Sequence, residues 1–123
     1  MTARRLLVVD DADDIRAVAT IALATVGDLD VVAVGSGAEA LERVRVDPPD
    51  AVLLDVSMPG MDGPATLGAL RAGGFDGPVL LLTAAAESLG SRFEGLDVLG
   101  VVAKPFDPMN LASQVRRLLG WTR

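Results

Sequence analysis

Three carboxylates stand where apolar runs end. Leu6-Leu7-Val8-Val9 is closed by Asp10-Asp11, and Ala51-Val52-Leu53-Leu54 is closed by Asp55. Carboxylates brought together can hold a hard divalent cation, and one of them can act as a nucleophile toward phosphorus to give an acyl phosphate. Two further apolar runs also end in polar residues. Leu80-Leu81-Leu82 leads into Thr83, a hydroxyl donor, and Val101-Val102-Ala103 leads into Lys104, followed by Pro105-Phe106. Lys104 is the single lysine among eleven Lys and Arg residues. A compact ammonium able to contact one oxygen differs from the planar fork that the chain uses everywhere else.

Two negative charges ~5 Å apart repel by roughly 3 kcal/mol at an effective dielectric of ~20. Three acids at one crevice therefore call for a cation, and hard oxygen donors suit Mg²⁺. Phosphoryl transfer spreads charge over the equatorial oxygens, so catalysis is mostly positioning and neutralisation. Mg²⁺, the Lys104 ammonium and the Thr83 hydroxyl would each take one oxygen. Asp55, alone at the end of its run, is the better-placed nucleophile. Asp10 and Asp11 are paired and better placed to hold the metal. Singly, each residue has a plainer use: the aspartates as helix caps, Thr83 as a strand residue, Lys104 as a solvated surface cation. The functional reading rests on the coincidence of all five.

The elements that must position these residues alternate along the chain. Strands are expected at Arg4–Val9, Asp30–Val34, Ala51–Leu54, Pro78–Leu82 and Gly100–Ala103. Continuous apolar runs of this kind are buried on both faces of a parallel sheet. Helices are expected between them. The first, Asp13–Val26, carries Ile15, Val18, Ala19, Ala22 and Val26 on one face. Ser36-Gly37-Ala38-Glu39 is a capping-box pattern opening the second, with Leu41 and Val44 inward. Pro64 opens the third after an Asp62-Gly63 turn. Leu89, Phe93 and Leu96 mark the fourth. Asp107-Pro108 opens the last, which turns Leu111, Val115, Leu118 and Leu119 inward and stops at Gly120. The order points to a doubly wound α/β fold, in which sites form outside the carboxyl ends of the strands.

Composition narrows the function. Half of the 123 residues are apolar, so one domain with its own core is expected over residues 1–123, with no room left for an output domain. There is no cysteine and no histidine. That excludes disulfides, zinc–thiolate sites, histidine acid–base catalysis and a phosphohistidine carried on this chain. A net charge of −6 without a basic stripe argues against nucleic acid as a partner. No apolar run approaches the ~18 residues of a membrane span. The first strand begins close to Met1, which leaves no room for a signal peptide, and a cytoplasmic location is expected.

The motifs taken together resemble one family. Val8-Val9-Asp10-Asp11, Leu53-Leu54-Asp55-Val56-Ser57-Met58-Pro59-Gly60-Met61-Asp62-Gly63, Leu82-Thr83-Ala84 and Lys104-Pro105-Phe106 occur in the order and spacing of response-regulator receiver domains of two-component signalling, of the stand-alone chemotaxis-regulator type. The resemblance runs from Arg4 to Leu119. It implies a flavodoxin-like (βα)5 sandwich with a five-stranded parallel sheet of order 2-1-3-4-5. It implies Asp55 as phosphoacceptor, Mg²⁺ held directly by Asp11 and Asp55, by Asp10 through water and by the Ser57 backbone carbonyl, and Thr83 and Lys104 on the phosphoryl group. The implied donor is a histidine kinase or a histidine phosphotransfer protein, and a cis Lys104-Pro105 bond is implied as well. Function would be a phosphoaccepting switch that changes the binding of an unidentified output protein. It would catalyse only its own phosphorylation and dephosphorylation, and would be a monomer or weak dimer.

The chain departs from the family pattern in the last strand. Val101 stands where many receivers carry a switch aromatic, and Leu99-Gly100 where receivers that dimerise through this face often carry an acidic pair. A change on phosphorylation is therefore expected to concentrate in residues 83–96, with little at Val101. Other readings are an aspartate-nucleophile phosphohydrolase of the haloacid-dehalogenase type, a flavin carrier, and a degenerate receiver used only for docking. The hydrolase needs a second acid two residues after the nucleophile, where this chain has Ser57. The flavin carrier's phosphate would meet the repelling run Asp10-Asp11-Ala12-Asp13-Asp14.

Overall fold

The computed structural model describes residues 3–26, 28–84 and 97–121. Its strands are β1 (Arg5–Val9), β2 (Asp30–Val34), β3 (Ala51–Asp55), β4 (Val79–Thr83) and β5 (Val98–Ala103). All neighbours run parallel, in the order β2-β1-β3-β4-β5. The helices are α1 (Asp13–Ile21), continued by a π-helical segment Ala22–Val26, then α2 (Gly37–Val46), α3 (Gly63–Ala72) and α4 (Pro108–Leu119). The helix expected around Leu89, Phe93 and Leu96 lies outside the described residues.

Strand periodicity divides the core in two. Leu6, Val8, Leu53, Leu80, Leu82 and Val102 face one layer, where they pack with Leu23, Leu111 and Val115 from α1's π-helical extension and α4. Leu7, Val9, Val52, Leu54, Val79 and Leu81 face the other, against Leu67 and Leu70 of α3 and Ala40 of α2. The inner strands β1, β3 and β4 are thus buried on both faces, which is why they read as unbroken apolar runs, while the edge strands β2 and β5 are mostly half-buried.

Local chemistry starts and stops the helices as expected, with one addition. The Ser36 hydroxyl accepts from the Glu39 N–H, and Asp107 accepts from Met109 ahead of Pro108. Gly120 ends α4 at φ 73°, a left-handed value that suits glycine. Asp62, expected in a turn, is the N-cap of α3, where its carboxylate accepts from the Ala65 N–H.

The phase of the first helix differs from the expectation. Ala19 and Ala22 are buried, and so is Leu23, but Val18 and Val26 are 41% and 49% exposed. The wider π turn shifts the side chains after Ile21 around the axis, bringing Leu23 inward and Val26 outward. At the opposite pole from the strand ends, Trp121 is buried, with the Arg4 guanidinium 5.1 Å from its ring centroid.

Gly68 lies inside α3, where an added Cβ would meet no atom within 4 Å. Gly68→Ala is expected to raise stability by about 1 kcal/mol, the helix-propensity difference between the two residues. Urea unfolding of the two proteins measures it; unchanged or lower stability counts against this account of α3.

Candidate functional site

Asp10, Asp55 and Lys104 continue the same two-residue period that places Val8, Leu53 and Val102 in one core layer. All three therefore arrive on the α1/α4 side of the rim. Asp10 follows β1, Asp55 ends β3, Thr83 ends β4 and Lys104 follows β5. Thr83 and Lys104 are joined by a main-chain bond, Lys104 N–H to Thr83 O at 2.8 Å. The Lys104-Pro105 peptide is cis, as the resemblance implies.

The acids are not equivalent. Asp10 is fully buried, Asp55 is 3% exposed and Asp11 is exposed. One carboxylate oxygen from each can be chosen so that all lie within 4.8 Å of one another. Lys104 reaches back over β4 to place Nζ 3.0 Å from Asp10 Oδ2 and 3.3 Å from Asp55 Oδ1. The same Asp55 oxygen accepts from the Ser57 N–H at 3.3 Å. Asp10 Oδ1 accepts from the Ala12 N–H at 2.9 Å. Asp10 Oδ2 is buried and has no hydrogen bond of acceptable geometry, and among the described residues it is compensated by the charge of Lys104. An under-satisfied buried carboxylate oxygen beside two further carboxylates fits a hard cation.

Electrostatics follow from this crowding. Burial, then repulsion from Asp10, raises the Asp55 carboxyl from its ordinary 3.8 to about 6, while Lys104 and the Ser57 N–H pull the other way. Burial works against the Lys104 ammonium too, but contact with Asp10 and Asp55 outweighs it and holds its pKa above the ordinary lysine value.

Every site residue expected from the sequence lies on this one rim. Ser57 is exposed, two residues past Asp55. The loop that carries it is held tightly, since Gly63 N–H donates to Val56 O at 2.8 Å and a Cβ at Gly63 would lie 2.7 Å from Val56 Cα. Sequence reasoning missed Arg16. Its guanidinium donates to the Asp10 carbonyl at 2.8 Å and to the Asp13 carboxylate. The one available signal was a basic residue three positions after Asp13, which is a helical pairing distance. A cleft of 590 Å³ between α2 and α3 contains none of the site residues.

Residues 6–116 match the response regulator receiver domain family. The chain belongs to that family. This receiver domain is 40% identical over 121 residues to the response regulator MprA of Mycobacterium leprae, covering 97% of this chain and 52% of the relative. It is 38% identical over 121 residues to the transcriptional regulatory protein PrrA of Mycobacterium tuberculosis, covering 97% and 51%. The chain thus spans about half the length of the curated relatives it matches. Among solved structures it is similar to the chemotaxis response regulator CheY4 of Vibrio cholerae, with a TM-score of 0.85, 29% identity, and 96% and 100% of the two chains covered. A putative response regulator from Chloroflexus aurantiacus superposes with a TM-score of 0.81 at 31% identity, covering 97% and 99%.

The raised Asp55 pKa has a consequence for stability. Folded Asp55 takes up its proton at higher pH than unfolded Asp55, so the metal-free protein gains stability as pH falls from above 6 toward 3.8. The slope from this one group is at most about 1.4 kcal/mol per pH unit. Urea unfolding in chelator at pH 7.5 and pH 5 should show a larger gain in wild type than in Asp55→Asn, which should itself be the more stable at pH 7.5. An equal pH response in both proteins would assign the effect to other groups.

Proposed function

We propose that Asp55 accepts a phosphoryl group from a histidine kinase or a histidine phosphotransfer protein, in a site completed by Mg²⁺. The observation that carries the reading is the placement of Asp55, a carboxylate at a central strand end with Asp10 and Asp11 on one side and the Lys104 ammonium 3.3 Å from Oδ1. An Asp55 carboxylate oxygen attacks phosphorus as the bond from phosphorus to the donor's ring nitrogen breaks, and the imidazole leaves with that electron pair. Without the ion Asp55 is ionised above about pH 6, and a bound cation would favour the carboxylate further. Asp10, Asp11, Asp55 and the Ser57 carbonyl are the groups that would hold Mg²⁺. Bound there, the ion supplies charge neutralisation for the carboxylates and the phosphoryl oxygens. Thr83 and Lys104 would contact the phosphoryl group.

The domain on this reading catalyses only its own phosphorylation and dephosphorylation, and acts in the cytoplasm by changing its affinity for an output protein. No described helix is long and apolar enough to cross a membrane. Ser57 in place of a second acid argues against a phosphohydrolase, and the complete set of site residues argues against a docking-only role. The expected change over residues 83–96 bears largely on residues outside those described. Val101 is half-buried in β5, opposite Leu81, and Leu99 is 52% exposed at the irregularity in the β4–β5 pairing.

Incubation with acetyl phosphate and Mg²⁺ should add one phosphoryl group by intact mass, and Asp55→Ala should add none. Labelling that survives in the variant would place the acceptor elsewhere.

The donor must bring its histidine within reach of Asp55. A groove of 140 Å³ beside the site is lined by Ile15 and Val18 of α1 and by Pro105 and Phe106 after Lys104. Ile15→Ala should slow transfer from the cognate kinase while leaving labelling by acetyl phosphate intact. Equal slowing with both donors would mean that Ile15 serves the fold or the chemistry rather than docking.

A further inference from the structure

We propose that Arg16 is a positioning residue for the acidic site: by gripping the Asp10 carbonyl it fixes the peptide that leads into Asp11, and so sets how tightly the site takes a divalent cation. The inference rests on the reading of the acids as a Mg²⁺ site.

Asp10 is held from four directions. Its N–H donates to Val34 O at 3.1 Å, Oδ1 accepts from the Ala12 N–H at 2.9 Å, and Oδ2 faces Lys104 at 3.0 Å. The fourth hold is Arg16 Nη1 on the carbonyl, at 2.8 Å. Of these contacts, Arg16 alone comes from a side chain outside the candidate site. The carbonyl it grips belongs to the Asp10–Asp11 peptide, and Asp11 is the exposed acid of the set. Asp11 lies between two fixed points, the carbonyl gripped by Arg16 and the Ala12 N–H bonded to Asp10 Oδ1. With Arg16 released, the first point is lost and the Asp11 carboxylate can turn away from Asp10 and Asp55.

A second observation shows that the fold makes room for this grip. Gly35 follows β2, and a Cβ there would lie 3.0 Å from Arg16 Nη1 and 3.6 Å from Cζ. Gly35 is not among the glycines with positive φ, so backbone conformation does not call for glycine at this position. A side chain at Gly35 would press on the guanidinium and shift it by a few tenths of an ångström. The other arm of its fork pairs with Asp13, whose side chain is 90% exposed, so the Asp10 carbonyl is the better-sheltered end.

Charge alone predicts the opposite effect, which makes the test decisive in sign. A cation beside a cation site repels the incoming ion, so losing Arg16 by Coulomb's law should tighten Mg²⁺ binding. Positioning predicts that it weakens, by about tenfold, as for loss of groups that orient metal ligands. Calorimetric titration of MgCl₂ into metal-stripped protein, with folding checked by circular dichroism, compares wild type, R16A, R16K, G35A and the R16A/G35A pair. R16A and G35A should both weaken binding, G35A by less, because it shifts the guanidinium against the Asp10 carbonyl without removing its charge. The pair should be no weaker than R16A alone, because both changes break one contact. R16K keeps a donor for the Asp10 carbonyl and should recover most of the loss. Binding in R16A equal to or tighter than wild type, additive losses in the pair, or R16K no tighter than R16A would each overturn the proposal. Wild type that takes no Mg²⁺ would instead overturn the reading of the site itself.

Discussion

Repulsion between two carboxylates sheltered from water at neighbouring strand ends is the constraint around which the upper rim of the sheet is built. Asp10 and Asp55 sit after β1 and at the end of β3, where parallel pairing aligns their carboxylates and burial denies them water. Lys104 is the counterweight. It stands on the far side of β4 and its ammonium returns to both acids, at 3.0 and 3.3 Å. A short cation would not span that gap, and a guanidinium fork would spread its charge where one compact contact is needed. The balance is incomplete, since one ammonium faces two buried acids and the exposed Asp11. The residual negative charge works against stability in the metal-free protein, and on the proposed reading the same charge would draw a divalent ion.

The strand ends were legible in the sequence because a sheet buried on both faces leaves an unbroken apolar run, and the first polar residue after it marks the rim. Asp10, Asp55, Thr83 and Lys104 were all found that way. Burial of Asp10 against exposure of Asp11 was not legible, because it depends on how the chain bends after Val9. The inward face of the first helix was misread at Val18 and at Val26, the second lying in the π-helical segment. A regular period of 3.6 gives no warning of a π turn, which tertiary packing of Leu23 imposes. Asp62 looked like a turn residue, and its capping role needed the start of α3 to be known. Arg16 was missed for a different reason: it acts through a main-chain carbonyl, and main-chain contacts leave no mark on residue type at the other end.

On the proposed reading, a groove lined by apolar residues of α1 and of the loop after Lys104 lies beside the acids. An enclosed pocket would bury a small substrate and exclude a protein. A protein donor would instead be recognised by its surface, with the chemistry left to a few fixed charges, so that docking residues could vary without touching the acids.

Trp121 is the chain's single tryptophan, and it is seated under the sheet against Arg4, at the far end of β1 from Asp10. The five residues of β1 separate the two ends by about 17 Å at roughly 3.3 Å per residue. Selective excitation of the indole therefore reads one location, the seam between the end of the last helix and the start of the first strand. Its emission is a built-in gauge of whether the body of the domain is intact, placed where an ion or a phosphoryl group at the opposite pole does not touch the chromophore. Melting can thus be followed optically in the unmodified protein without an ion or phosphoryl group perturbing the reporter directly.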